Sequence, residues 1–239
     1  MKPLLVTRYE EESIDWGHTA LRYAIYVVGL FCISTGTVLQ TASGLGVASL
    51  TCFATFASRA TGTTLGFMIA LTYAIYIGCQ ALILRRRFQA RILLEMVFAF
   101  SMGYLVDLIA SFITVSPHGI VAQVVCMCCA LVVTAFGASL MVDMEIVPNA
   151  PDGLVQVASE ALGTTFGNVK VVFDVSHVVA SILGSLLLFG DISGFGLTTI
   201  VSALFLGRII NVIMGTVGER AQAAVWGVKA AGDEFAAAV

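Results

Sequence analysis

The stretch SRATGTTLG, from Ser58 to Gly66, and its near copy SEALGTTFG, from Ser159 to Gly167, decide the fold. The copies stand 101 residues apart, and the same offset carries the first half of the chain onto the second. Each half contains one apolar stretch, a broken segment and two further apolar stretches. This pattern indicates an internal repeat. Chance similarity between apolar helices is the alternative, and the shared Gly-Thr-Thr-x-Gly argues against it.

The composition indicates lipid as the solvent of this chain. Of its 239 residues, 59% are hydrophobic and only 11% are charged. A soluble domain carries about 25% charged residues, so the charge here is too sparse to cover a water-facing surface. The bilayer is therefore an expected partner, and nothing in the sequence supports nucleic-acid binding. The six cysteines show no metal-ligand spacing, and we read them as packing thiols.

Six apolar stretches have the roughly 20 residues that a membrane-spanning helix needs. The remaining segments 44–62 and 146–163 are too short and too broken by glycine and proline to span. Each is expected to hold a short helix that dips into the membrane or lies at its surface. Asp152 occupies the position of an N-cap in the second of them. The predicted spans are Tyr23 to Gln40, Leu65 to Leu84, Ile92 to Val115, Ile120 to Val142, Phe166 to Phe189 and Gly196 to Val217.

Basic residues predict the topology. The loop RRRFQAR, Arg85 to Arg91, joins the second and third spans and is expected on the cytoplasmic side of the membrane, which puts both termini inside. Three spans per half is an odd number, so the second half enters the membrane in the opposite sense. We therefore predict an all-α, polytopic membrane helix bundle of two inverted three-helix repeats. Its parts are a cytoplasmic arm (1–19), repeat A (20–115), repeat B (116–217) and a cytoplasmic tail (218–239).

At these segments the chain resembles the YczE/YyaS/YitT family of bacterial membrane proteins. The stretch PNAPDGLVQVASEALGTTFGNVK resembles that family's motif of Gly-x-Gly-Pro-x-Asp-Gly, an apolar helix and Thr-Gly-x-x-x-Gly, and Pro151, Asp152 and Gly153 match its Pro/Asp/Gly core. Lys170 and Asp174 occupy positions where the family carries a basic residue followed by an acid. The first-half copy departs from the pattern because it lacks the family's proline and acid. The resemblance covers about residues 20 to 217 and implies no particular substrate.

Ionisable residues inside predicted spans are candidates for function, because burying charge in a bilayer is costly. Lys170, Asp174, His177 and Ser181 are spaced four, three and four residues apart and share one helical face. One interpretation is a substrate or proton path in which Asp174 and His177 exchange protons. The alternative is structural: Lys170 reaches the headgroups, and Asp174 pairs with it or with another helix.

A second group of polar residues lies on the third and sixth predicted spans. Arg208 and Asn211 stand in the sixth, and Asp107 is the repeat equivalent of Arg208. We expect structural pairing of these charges, with Asp174–Arg208 as one pair and Arg208 as an anion anchor if pairing is incomplete. Glu95 is expected to pair with Arg91, four residues earlier on the same helix.

The repeated Gly-Thr motif has two interpretations. Its glycines permit close helix contact, as GxxxG pairs do in membranes. Its threonines satisfy the ends of broken helices or offer hydroxyls to a ligand. The residues concerned are Gly62, Thr63, Thr64, Gly66, Gly163, Thr164, Thr165 and Gly167.

The sequence favours a secondary transporter or permease for a small solute, working by alternating access between the repeats. Asp174, His177, Arg208, Lys170, Asp152, Asp107 and Asn211 are its predicted pathway residues. One alternative is a non-transporting membrane partner that regulates another protein. A lipid-modifying enzyme is another, but the chain has no nucleophile motif, metal cluster or cofactor motif for it. A homo-oligomer is compatible with both the transporter and the non-transporting partner.

Overall fold

A computed structural model describes residues 16–85, 92–113, 115–144, 146, 149–192, 194–213 and 216, and these residues form helices and connecting segments without a strand. The last helical segment is interrupted by a π-helical turn, Ser202–Leu206. The α-helices are α1 (Trp16–Ser43), α2 (Ser49–Thr61), α3 (Leu65–Leu84), α4 (Ile92–Phe112), α5 (Ile120–Asp143), α6 (Ala150–Leu162), α7 (Phe166–Phe189), α8 (Leu197–Val201) and α9 (Gly207–Ile213).

Five helices are long and apolar enough to cross a membrane. They are α3, α4 and α7 over their full lengths, Thr19–Ser43 of α1 and Ile120–Val142 of α5. The chain is thus a helical bundle of the multi-pass membrane type. The sixth predicted span, Gly196 to Val217, is not among the five. Within the described residues it is a shorter apolar helix, Leu197–Ile210, interrupted by the π-helical turn.

The broken segments form two short helices of equal length, α2 and α6, each with 13 residues. Each is about 20 Å long, less than the roughly 30 Å of a hydrocarbon core. Both end at a glycine in the left-handed conformation, Gly62 with φ 67° and Gly163 with φ 64°. The next helices then begin alike, since the side chains of Thr64 and Thr165 accept hydrogen bonds from backbone amides of α3 and α7. The same capping residues, 101 positions apart, give both segments the same helix–turn–helix geometry.

The helices pack in pairs that join the two halves of the chain. α1 lies along α5, while α2 packs on α7 and α6 packs on α3. α1 and α5 approach closely at Gly29 and Gly137, where an added Cβ at Gly29 would lie 2.8 Å from the Gly137 carbonyl oxygen. α4 also packs on α1, and α9 packs on α5. Each short helix is therefore supported by a long helix of the other half.

One pair of helices breaks this correspondence. α3 packs closely on α4, because Gly66 and Gly103 let the two backbones touch. The equivalent contact would be between α7 and α8–α9, but in the part of the chain that the structure describes these helices hardly meet. Among the described residues the bundle is thus closed on the α3–α4 side, whereas α7 and α8–α9 are not closely packed.

The chain segment before α2 is held by backbone hydrogen bonds to the start of α8. Val47 N donates to Gly194 O at 2.9 Å, and Thr198 N donates to Leu45 O at 2.9 Å. Gly46 and Gly196 lie side by side, and a Cβ at Gly46 would meet the Gly196 amide nitrogen at 2.6 Å. These bonds satisfy backbone groups that extended chain would otherwise leave unpaired inside a membrane.

Several predictions fall outside the described residues. They concern most of the arm (1–15), the arginines of the basic loop after Arg85, and the tail from residue 217. Several predicted span ends differ from the helix ends: α1 runs from Trp16 to Ser43 rather than from Tyr23 to Gln40, and α4 ends at Phe112 rather than Val115. A hydropathy pattern marks the apolar part of a helix, and the first two turns of α1 are more polar than the rest.

Candidate functional site

A cluster of three charged side chains lies where the first turn of α6 meets α7. Lys170 Nζ donates to Asp152 Oδ1 at 2.8 Å and lies 3.5 Å from Asp174 Oδ1. The Lys170 and Asp174 side chains are about one-quarter exposed, at 25% and 24%, and Asp152 is 42% exposed. Two carboxylates share one ammonium group, so the cluster has a formal charge of −1 when all three are ionised. It is therefore suited to receive a further cation or a proton.

Local sequence explains how Asp152 reaches this cluster. Asn149 is the N-cap of α6, and Pro151 occupies the first turn, where its missing N–H is not needed. Asp152 is thus the third residue of the helix, within its first turn, and not the N-cap, which corrects the sequence prediction. Its carboxylate still benefits from the positive end of the helix dipole. On α7, Lys170 and Asp174 stand four residues apart and face α6 together.

His177 lies one turn beyond Asp174 and is held at both ring nitrogens. Nε2 pairs with the Tyr76 hydroxyl of α3, and Nδ1 lies 2.7 Å from the Phe173 carbonyl oxygen. Since a carbonyl only accepts, Nδ1 must carry a proton. In the neutral ring the Tyr76 hydroxyl then donates to Nε2.

Aromatic rings surround His177 and connect α2, α3 and α7. The Phe173 ring lies 4.3 Å from the imidazole by centroids, and Phe53 of α2 meets it edge-on at 6.2 Å. Tyr76 packs on Phe173 at 5.2 Å. The short helix α2 and the long helix α3 therefore meet beside the charged cluster, and a shift of either helix would change the contacts of His177.

Ser181 completes the polar face of α7 but has a structural contact. It is fully buried, and its hydroxyl donates to the Cys52 carbonyl of α2 at 3.0 Å. The predicted stripe thus divides in space. Lys170 and Asp174 face α6, whereas His177 and Ser181 face α3 and α2.

Asp107 binds the beginning of α3. Its carboxylate accepts from the Gly66 amide at 2.8 Å and from the Thr64 hydroxyl at 2.6 Å. The negative charge sits at the positive end of the α3 dipole, which stabilises the contact. Asp107 therefore fastens α4 to α3 on the closed side of the bundle.

The predicted Asp174–Arg208 pair is wrong, because Asp174 pairs with Lys170 and Arg208 is exposed on α9. The guanidinium carbon of Arg208 lies 5.8 Å from the centre of the Phe205 ring. Within the described part of the chain, no carboxylate lies in ion-pair reach of Arg208. Asn211 follows on α9. Identical depth in two helices does not bring their side chains together when the helices do not pack.

The Gly-Thr motif caps helices in both halves. Gly62 and Gly163 end α2 and α6, and Thr64 and Thr165 begin α3 and α7. Thr63 is bonded to the α2 end through Ser58, and Thr164 lies near Asn168. Gly66 touches α4, whereas nothing lies within 4 Å of a Cβ added to Gly167. The close-contact interpretation therefore applies to the first copy only.

The end of α2 is fastened to the end of α7 by an exposed ion pair. Arg59 donates to Asp191 at 2.6 Å, and its guanidinium carbon lies 4.2 Å above the centre of the Phe189 ring. The hydrogen bond to Asp191 raises the pKa of Arg59 above its ordinary value, and the charge of Asp191 acts in the same direction. Because this pair is exposed, it orients the ends of the helices more than it stabilises them.

Glu95 is buried and contacts α3. It is 3% exposed, and its carboxylate accepts from the Gln80 side chain of α3 at 2.8 Å. Arg91, its predicted partner, lies outside the described residues. When the two halves are aligned, Glu95 corresponds to Gly196, so the charge of Glu95 has no counterpart in the second half.

Among the described residues, no three histidine, cysteine or acidic side chains converge as metal ligands would. The arrangement combines a histidine hydrogen-bonded at both ring nitrogens with a cluster of two carboxylates around one ammonium group. It is the polar interior of a polytopic membrane protein with two short, non-spanning helices.

Comparison with known proteins places the chain in a family. It belongs to the family of unknown function DUF6198, whose model matches residues 20–215. It is similar to the protein YyaS of Bacillus subtilis (strain 168), described as uncharacterized, with 24% identity over 196 residues, 81% of this chain and 92% of that protein. This supports the YyaS part of the resemblance. No solved structure matches the chain.

Proposed function

We propose that the protein is a secondary transporter for a small solute, working by alternating access between two inverted repeats. The observation that carries the proposal is the cluster of Asp152, Lys170 and Asp174 at the junction of a short helix and a spanning helix. Each charge placed in a bilayer interior costs about 2.5–3.5 kcal/mol on insertion scales. Transporters keep such groups where interrupted helices line the solute path.

The repeat argument supports an inverted arrangement. α2 and α6 have equal lengths and equal caps, and each packs on the long helix of the opposite half. With α8–α9 counted as a sixth crossing, each half has three crossings and the halves run in opposite senses. In this proposal the Arg85 end of α3 is cytoplasmic, both termini are inside, and the membrane is the bacterial plasma membrane.

The asymmetric packing suggests which state of the cycle is present. α3 and α4 are closed at their extracellular ends in the proposed topology, with Asp107 fastening Thr64 and Gly66. The equivalent ends of α7 and α9 are cytoplasmic and apart. An inward-open state has this arrangement. In the opposite state α7 would dock on α9, bringing Arg208 to the end of α7, while α3 and α4 would separate.

The alternative function is a non-transporting membrane partner of another protein, alone or as a homo-oligomer. One observation favours it: the rings of Phe53, Tyr76 and Phe173 pack closely around His177. In that case the charged cluster would serve to position α6 against α7.

A binding screen followed by a flux measurement tests the proposal. Purified protein is screened by thermal shift against a defined library of amino acids, organic acids, sugars, nucleosides and polyamines. Each stabilising compound is then tested as radiolabelled solute for exchange into proteoliposomes. We expect at least one compound to exchange, and we expect Asp174→Asn to abolish it. Ser101→Ala is the matched control, because Ser101 bonds only within its own helix, to Val97 O.

The outcomes separate the alternatives. If no stabilising compound crosses the membrane with the wild-type protein, the transporter proposal fails and the partner function replaces it. If exchange occurs but Asp174→Asn exchanges as fast as the wild type, transport stands and the assignment of the charged cluster is wrong.

A further inference from the structure

A second ionisable site lies away from the charged cluster, one turn into α4. Glu95 is 3% exposed and is enclosed by α1, α3 and α6. Gln80 Nε2 donates to its Oε2 at 2.8 Å and to the Ala150 carbonyl oxygen at 3.1 Å, so both amide hydrogens are used. A Cβ added to Gly153 of α6 would lie 3.2 Å from Glu95 Oε1. The carboxyl group therefore touches the first turn of the short helix.

Among the described residues, the side chains facing Glu95 bring no cation close enough to compensate a negative charge. α1 presents the Tyr26 hydroxyl and, further along, Arg22, whose guanidinium donates to the Met144 carbonyl. α3 presents Tyr73, and the acid of α6, Asp152, is bonded to Lys170. Within the described residues, no lysine, arginine or histidine lies in ion-pair reach of Glu95.

A small cavity adjoins Glu95. Its volume is about 10 Å³, close to the least that holds one water molecule. Its polar walls are Tyr26, Tyr73, Asn149 and Glu95, and the rest of its lining is apolar. A water there would have the several polar partners that buried waters need. The carboxyl group thus has a donor on one side, Gln80, and space for a proton-carrying water on the other.

The energetics favour the neutral acid. A buried carboxylate without a cation loses hydration worth several kcal/mol, and a single neutral amide donor recovers only part of that loss. A protonated carboxyl keeps the Gln80 bond at Oε2 and offers its own O–H to the cavity. The repeat gives no equivalent, because Gly196 occupies the corresponding position and lies against Leu45. The site therefore exists in one half only.

We infer that Glu95 is a proton-binding site, held as the neutral acid at neutral pH and exchanging its proton through the adjoining cavity. Binding joins one proton, delivered by water, to one carboxylate oxygen, and release returns it to water. Release leaves a negative charge against the first turn of α6, which shifts the balance of contacts that hold this short helix. The inference does not depend on whether the protein transports a solute.

Infrared difference spectroscopy tests the inference directly. The spectrum of the wild type minus that of Glu95→Gln, in lipid at neutral pH, is expected to contain the carbonyl stretch of a protonated carboxylic acid. The band should shift in heavy water and disappear at alkaline pH. Asp107→Asn is the matched control: Asp107 accepts an amide and a hydroxyl at a helix end, so the variant should retain the band.

A neutral-pH difference spectrum with carboxylate bands in place of the acid band would overturn the inference, since Glu95 would then be ionised. If Glu95→Gln does not fold, Gln80→Leu supplies the second readout. Loss of the Gln80 donor should move the acid band while leaving it present at neutral pH, and an unmoved band would assign it to another carboxyl group. Neither result depends on a transport assay.

Discussion

Replacing Gly66 by alanine is expected to force α3 and α4 apart. The two helices touch at Gly66 and Gly103, and the added methyl group would overlap the Gly103 carbonyl. It would also lie 2.7 Å from Asp107 Oδ1, closer than the 3.0 Å below which real Cβ contacts essentially never occur. Because the main obstacle is backbone, a side-chain rotation cannot relieve the overlap.

The magnitude follows from two effects. Overpacking costs about 1–3 kcal/mol. Displacing α4 also weakens the bond from the Gly66 amide to the Asp107 carboxylate, and hydrogen bonds to charged groups contribute about 1.5–3 kcal/mol. We expect a total loss of about 2–4 kcal/mol. For a chain of this size, each kcal/mol lowers the unfolding temperature by about 2–4 °C, so a decrease of roughly 5–15 °C is expected.

The matched control is Gly167→Ala, at the repeat-equivalent position on α7. Nothing lies within 4 Å of an added Cβ there, and alanine favours helix over glycine by about 1 kcal/mol. Circular dichroism of the purified variants in one detergent should therefore give a lower midpoint for Gly66→Ala and an equal or higher one for Gly167→Ala. Equal losses at both sites would refute the reasoning, since α7 would then be packed as tightly as α3.

Three further perturbations test individual contacts. Lys170→Met leaves the carboxylates of Asp152 and Asp174 without their shared cation. Because the pair is partly exposed, the expected loss of stability is about 2 kcal/mol, between the values for exposed and buried ion pairs. In the same unfolding assay, adding Asp152→Asn should recover part of this stability, and no recovery would contradict the shared cation. Ser181→Ala removes the donor to the buried Cys52 carbonyl and should lower stability by about 1 kcal/mol, measured in the same way. Asp107→Asn should speed hydrogen exchange at the first amides of α3 and leave those of α7 unchanged, as read by mass spectrometry; equal change in both helices would argue against a local contact.

Local signals in the sequence predicted the elements well. The bounds of α3 and α7 agree with the predicted Leu65 to Leu84 and Phe166 to Phe189. Each follows a Gly-Thr-Thr stretch that ends one helix and caps the next. Such capping signals involve only neighbouring residues, so they are visible in the sequence. The sixth span was harder to predict, because a π-helical turn changes the backbone hydrogen bonding without changing the hydropathy pattern.

Partners in the site were harder to predict, since they depend on which helices meet. Helical spacing does not reveal that Glu95 contacts Gln80 from α3. Equal depth suggested Arg208 for Asp174, whereas the structure gives it Lys170 on the same helix, the pairing that helical spacing offered as the alternative. Spacing along one helix is visible in the sequence, but the rotation of neighbouring helices about their axes is not.

The dependence of each short helix on the opposite half constrains how the protein is made. α6 leaves the ribosome after α3, so its support already exists. α2 must wait for Ser181, 129 residues beyond Cys52, and for Thr199, 152 residues beyond Val47. Until the second half is translated, the Val47 amide lacks Gly194 and the Val47 carbonyl lacks the Thr199 hydroxyl. A nascent first half is therefore an incomplete unit, because part of what holds its short helix comes from the second half.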